Sequence, residues 1–192
     1  MVDKALWTVG VFAGIIARTS GKLLLRRRVE QGSIIPGKSF QGNWELPGGG
    51  VMESDNMSYG HLVYELEREI REELGIRLEL EDYMPQFYSM PFRGKNREGN
   101  IFYDLALVTP ILVDGDLAEA KVKIIWVSAT ELNDLAKEFV APNKQAGTEG
   151  KGLLSGWGKR MHCMALAALA KSSSLSFSQI AHDTLTEIQM HW

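Results

Sequence analysis

The chain has 192 residues, 45% of them apolar and 23% charged, a balance that excludes an extended disordered chain and suits one globular domain of ordinary size. A formal net charge of -3 excludes general attraction to a nucleic-acid polymer, so a polyanionic substrate would need a local device such as bound metal or clustered arginines. Cys163 is the only cysteine, which excludes an intrachain disulfide and a cysteine-based zinc site and makes a reducing cytoplasm the expected compartment.

Taken in chain order, the apolar run from Ala5 to Ala17 predicts a buried strand. It does not suit a signal peptide or a membrane segment: Asp3 offsets Lys4, Thr8 and two glycines interrupt the run, and it falls short of the ~20 residues a membrane helix needs. No membrane partner is expected. Arg18 to Gly21 reads as a turn, Lys22 to Val29 as the second strand of a hairpin, and Glu30 to Gly42 as a polar loop. Trp44 to Leu46 is a short strand running into a turn, Pro47-Gly48-Gly49-Gly50. Tyr59 to Leu74 has helical periodicity and is stopped by Gly75. Strands are expected at Ile76–Leu80, around Gln86–Met90, at Ile101–Val108 and at Val122–Val127, with a basic loop at Phe92–Asn100. Ser128 to Phe139 begins a capped helix, 141–156 reads as a loop, and Trp157–Lys171 and the stretch from Ser176 onward are helical. There is no internal repeat and no domain boundary, so residues 1–192 are expected to form a single domain.

The 59–74 helix concentrates the chemistry. At about 100° per residue with Glu69 at zero, Glu72 falls near ~300°, Glu73 near ~40° and Glu65 near ~320°, so four carboxylates share one arc. Tyr59, Leu62, Val63, Leu66, Ile70 and Leu74 occupy the adjoining arc, roughly 20° to 140°. Pairs of like charge at i,i+4, Glu65/Glu69 and Glu69/Glu73, each cost a few tenths of a kcal/mol in an isolated helix, a cost that Arg68 with Glu72 and Glu67 with Arg71 would relieve in part. A solvated, ion-paired face is the ordinary account of such an arc. Its position beside a core face, after a strand and a glycine turn, favours convergent hard ligands for Mg²⁺ or Mn²⁺.

Arg68-Glu69-Ile70-Arg71-Glu72-Glu73-Leu74-Gly75-Ile76 resembles the second half of the Nudix signature, R-E-U-x-E-E-x-G-U with U a bulky aliphatic, and Trp44-Glu45-Leu46-Pro47-Gly48-Gly49-Gly50 is similar to the approach such proteins commonly carry. A weaker likeness extends to Ile125-Trp126-Val127-Ser128 and Glu131-Leu132, so the resemblance covers about Ala5 to Phe139 and leaves 157–192 as a helical extension. The first half of the signature departs from the pattern. An insertion of about five residues around Asn56–Gly60 leaves open whether Glu53 or Asp55 fills its acidic position; loops absorb such length cheaply.

The resemblance implies an α/β/α sandwich around a mixed sheet. It implies a hydrolase that cuts a diphosphate bond in a nucleoside diphosphate linked to another group, such as ADP-ribose, a nucleotide sugar or a nucleoside triphosphate. Glu69, Glu72 and Glu73 would be the Mg²⁺ ligands and Arg68 their orienting cation, all four counted as catalytic, and water activated by the metal would attack one phosphorus. Substrate contacts are expected from Arg26 and Arg28, which share one face of their strand, from Trp44 by stacking, and from the main chain of Gly48 and Gly49. Arg93, Lys95 and Arg97 are candidates for steering an anion, and Phe40, Tyr88, Phe92 and Tyr103 for stacking. The general base is not readable; Glu98 and Glu119 are candidates. Pro91, fifteen residues after Ile76, resembles a weak marker of ADP-ribose pyrophosphatases. The competing class is a non-catalytic nucleotide-sensing module on the same fold. The terminal helices either cover the sheet or form a homodimer contact, and Trp157, Met161, Met164, Leu166 and Leu169 offer an apolar face that is expected to pack within the chain.

Overall fold

The computed structural model describes residues 6–29, 41–51, 58–80, 84–95, 101–114, 117, 120–137 and 158–171. The expected loops at 30–40 and 141–156, the acids Glu53 and Asp55, Glu98, Glu119, Phe40, Arg97, Trp157 and the stretch from Ser176 onward lie outside them, as do the side chains of Phe92, Arg93 and Lys95.

The apolar N-terminal run forms β1 (Leu6–Ala17), as its β-branched, alternating composition requires. After the turn, β2 (Leu23–Arg27) returns antiparallel, with Ile16 opposite Leu23. Next come β3 (Trp44–Glu45), paired with β2, and β4 (Gly48–Gly50), paired antiparallel with β1. Helix α1 (Tyr59–Leu74) is followed by β5 (Tyr88–Lys95), β6 (Ile101–Val113), β7 (Ile124–Val127), α2 (Ala129–Lys137) and α3 (Gly158–Lys171). The sheet order is β3-β2-β1-β6-β5, with β4 on β1 and β7 on β2. β1 and β6 run parallel from Leu6 opposite Phe102 to Ala17 opposite Val113, and the other pairs are antiparallel, so the sheet is mixed.

Both faces are covered. Alternate residues of β1 divide between two cores: Phe12 and Ile16 join α2 and α3, while Val11, Ala13 and Ile15 join α1. The result is the α/β/α sandwich that the sequence implied. Met161, Met164, Leu166 and Leu169 of α3 are buried on the sheet, and a Cβ on Gly14 of β1 would lie 2.2 Å from the Ala168 Cβ, so strand and helix approach each other closely there. Among the described residues no helix is long and apolar enough to cross a membrane.

Four expectations need correction. Gly48–Gly50, read as a turn, is a strand: Gly48 has φ 139°, and a Cβ there would come within 2.2 Å of the Val11 carbonyl, so the lack of a side chain permits the pairing. Ile76–Leu80 is not a strand. The segment lies beside α1, where the Leu80 N–H donates to the Glu67 carboxylate. Phe92–Lys95, assigned to a loop, continues β5 along β6 as far as Lys95 opposite Ile101. Finally, β6 runs past Val108 and through Pro110 to Val113. β5 covers β6 only as far as Val108, so Pro110, which lacks an N–H, falls where that ladder has ended.

Candidate active site

Helix α1 presents the carboxylates because both of its ends are fixed. The Ser58 hydroxyl accepts from the His61 N–H at 3.3 Å, and Gly75 adopts the left-handed conformation (φ 74°) while its N–H donates to the Arg71 carbonyl at 3.0 Å. Val63, Leu66, Ile70 and Leu74 then anchor one face in the core. The neighbouring edge carries Glu65, Glu69, Glu72 and Glu73.

Arg68 gathers three of these acids. Its Nη2 lies 2.8 Å from Glu65 and 2.6 Å from Glu69, and its Nη1 lies 2.8 Å from Glu72. Burial works against its charge, but the bonds to Glu65 and Glu69 outweigh that and hold the guanidinium more firmly protonated than usual. These ion pairs are the geometry through which Arg68 could orient the carboxylates, the role that the resemblance implied for it. Glu72 is 58% exposed and reaches solvent, whereas Glu65 is buried.

Glu73 belongs to a second group. Its carboxylate pairs with Arg26 and accepts the Gly48 N–H at 2.8 Å, and Arg26 also pairs with Glu45 at 2.6 Å. Arg28 approaches Glu45 at 3.3 Å. Arg26 in β2 and Arg28 just beyond it both turn to Glu45, but Arg26 is fully buried and directed at two carboxylates rather than held open for a phosphate. Burial raises the Glu73 pKa to about 8. Arg26 and the Gly48 N–H offset part of this, while Glu45 and Glu69 add to it. A single guanidinium shared by two acids does not neutralise both. Glu69 is likewise raised, first by burial, with Arg68 opposing.

Gly48 uses its N–H on Glu73, and Gly49 lies directly under Glu69, where a Cβ would meet the carboxylate at 2.7 Å. Trp44 is placed elsewhere. β3 alternates, so Glu45 faces α1 while Trp44 packs toward the α2–α3 core, with the Lys123 ammonium 5.9 Å from its ring centre. Trp44 is thus on the opposite side of the sheet from the carboxylates it was expected to accompany. Tyr88, another stacking candidate, has Lys171 at 5.1 Å over its ring.

Glu45 was missed as a member of the site, and Glu65, placed on the acidic arc, was given no role in it. Glu45 had a signal, since an acid between Trp44 and Leu46 in a strand opposite an arginine-bearing strand needs a partner. The partner itself depends on the Arg26–Glu45 register.

These residues fit a divalent ion in donor chemistry and in place: hard carboxylate oxygens sit where acids crowd one another and where a main chain without side chains leaves the Glu69 carboxylate open. Among the described residues no three acidic, imidazole or thiol groups yet converge into a ligand set, because Arg68 holds Glu69 and Glu72 while Arg26 holds Glu73.

A family model described as the NUDIX domain matches residues 7–146. Among solved structures, the chain is similar to the MutT protein of Methanosarcina mazei Go1, with 23% identity over 68% of this chain and 83% of that one and a TM-score of 0.45. It is similar to the ORF135 protein of E. coli, with 23% identity over 91% and 99% and a TM-score of 0.48. It is also similar to the NUDIX domain of Shewanella oneidensis NrtR complexed with ADP ribose, with 19% identity over 70% and 78% and a TM-score of 0.42. No curated protein matches. The family match runs from the start of β1 to beyond the end of α2 and so takes in the sheet, the glycine strand and the glutamate helix together, and on it the chain belongs to the Nudix family.

Proposed function

We propose that this Nudix protein is a Mg²⁺-dependent hydrolase that cuts a diphosphate bond in a small nucleotide-type substrate: ADP-ribose, a nucleotide sugar or a nucleoside triphosphate. The observation that carries the proposal is the placing of Glu69, Glu72 and Glu73 along one edge of α1, held by Arg68 and Arg26 against the Gly48–Gly49 strand. Glu69, Glu72 and Glu73 would hold the ion, with Mn²⁺ as an alternative. When bound, it supplies neutralisation of the diphosphate and a more acidic water.

The chain's own residues do the remaining work. Arg68 fixes Glu69 and Glu72 relative to each other, and their carboxylates would turn from it toward the ion on binding. Arg26, with the Gly48 N–H, fixes Glu73 from the opposite side, as a positioning cation rather than a phosphate contact. Arg28, just past the end of β2 and half-buried beside Glu45, has better access to an anion than Arg26. The proposed unit is the whole chain as one domain, acting in the cytoplasm as its buried, reduced Cys163 suits.

A panel of ADP-ribose, nucleotide sugars, dinucleoside polyphosphates and nucleoside triphosphates, assayed with Mg²⁺, tests the reading. Cleavage of at least one member is expected, and Glu72→Gln or Glu73→Gln should lower turnover by orders of magnitude while the fold is kept. A ligand that binds tightly without metal and is never cut would replace the hydrolase by a nucleotide sensor.

A further inference from the structure

The segment that carries Glu45 and Gly48 into the site is pinned residue by residue. The Asn43 carbonyl accepts from the Arg28 N–H at 2.8 Å, Glu45 pairs across the ladder with Arg26, and the Pro47 carbonyl accepts from the Ala13 N–H at 2.8 Å. The Gly48 N–H goes to Glu73. Between them, the Leu46 N–H finds its acceptor on neither the sheet nor α1. It donates to the thioether sulfur of Met161 on α3, at 3.2 Å. Leu46 is fully buried and Met161 is 4% exposed, so water cannot readily take over this donor.

We propose that Met161 is a positioning residue for the carboxylate site, its sulfur holding the Leu46 N–H and with it the course of the Glu45–Gly48 segment. The inference rests on reading that site as the working centre of the protein. Packing alone does not require this residue type, since leucine fills a similar volume in a core. What methionine adds is an acceptor, weak but correctly placed, on an unbranched side chain. Glu45 and Gly48 lie on either side of the held donor and contact Arg26 and Glu73 respectively, so a shift of Leu46 is passed to both partners of the buried ion pair. In this way the helix covering one face of the sheet acts on chemistry set out on the other.

Met161→Leu puts a methyl group where the sulfur stood. Met164→Leu is the control: Met164 is fully buried on the same helix. Amide hydrogen exchange and amide NMR shifts need no substrate. Met161→Leu, but not Met164→Leu, should speed exchange at Leu46 by about tenfold or more and shift the Gly48 amide resonance. With whichever panel substrate the wild type cleaves, kcat should fall about tenfold with KM unchanged, and Met164→Leu should leave both near wild type. Equal behaviour of the two variants at Leu46 and Gly48 overturns the proposal. So does faster exchange at Leu46 with Gly48 unmoved, or an unchanged kcat. If the wild type cleaves nothing, the hydrolase reading fails, and the amide measurements still decide whether Met161 positions this segment.

Discussion

Replacing Glu73 by glutamine should make the metal-free protein more stable at pH 8 while abolishing its activity. Glu73 ionises near pH 4.5 in the unfolded chain and near pH 8 in the folded one, chiefly because of burial and despite Arg26. The folded form therefore binds more protons between those values, and stability falls as pH rises through that window. At about 1.4 kcal/mol per unit, over a span of about 3.5 units, the loss has a ceiling of about 5 kcal/mol. The side chain is only 10% exposed, so solvent screens little of this, although rearrangement around Arg26 will reduce it. Glutamine has nothing to ionise, so its curve should lack this slope, and the two proteins should differ most near pH 8. Urea unfolding from pH 5 to 8.5 in the presence of EDTA measures both curves. Added Mg²⁺ should flatten the wild-type slope and leave the variant unchanged, because an ion favours the charged carboxylate. Parallel curves for the two proteins would refute the reasoning, since Glu73 would then not be the group that titrates.

Three further outcomes are expected. Gly48→Ala should cost on the order of 3 kcal/mol in urea unfolding, because the new Cβ meets the Val11 carbonyl at a positive φ, whereas Gly50→Ala, with nothing within 4 Å, should change little. His162 is held down to about pH 4 by burial against the usual 6.5, so the folded state resists its protonation and stability should drop as pH falls below 6.5 toward 4; NMR titration of its ring should give a midpoint near 4, and a midpoint near 6.5 would remove the effect. Among the described residues the buried Thr109 hydroxyl has no hydrogen-bond partner, so Thr109→Val should stabilise by about 1 kcal/mol, visible as a raised Tm.

The sequence disclosed α1 almost completely, because an apolar arc and the Gly75 stop are local signals that tertiary packing reinforced. The carboxylate edge was legible for the same reason, as was the ion-pairing role of Arg68, whose partners sit within one helical turn. What stayed hidden depends on contacts between segments. Whether Arg26 faced a phosphate or two buried acids turned on the register of β2 against β3 and on α1 lying across both. Trp44 was a stacking candidate for the substrate, but its neighbour Glu45 faces the carboxylates, and period-two alternation puts the two on opposite sides of the sheet. Gly48–Gly50 disguised itself as a turn because glycine weakens strands in general, and only the closeness of β1 reveals why it is used there.

The near contact between Gly14 and Ala168 joins two parts of the chain that lie far apart in sequence and are made far apart in time. Among the described residues α3 is the helix over one face of β1 and β6, so until it emerges that face is uncovered and the Leu46 N–H lacks its acceptor. A nascent chain therefore carries an exposed apolar sheet face from the completion of β6 until α3 emerges, a state in which association with other chains competes with folding. Slowing translation ahead of residue 158 should prolong that exposure and lower the soluble yield, even though the amino-acid sequence of the product is unchanged.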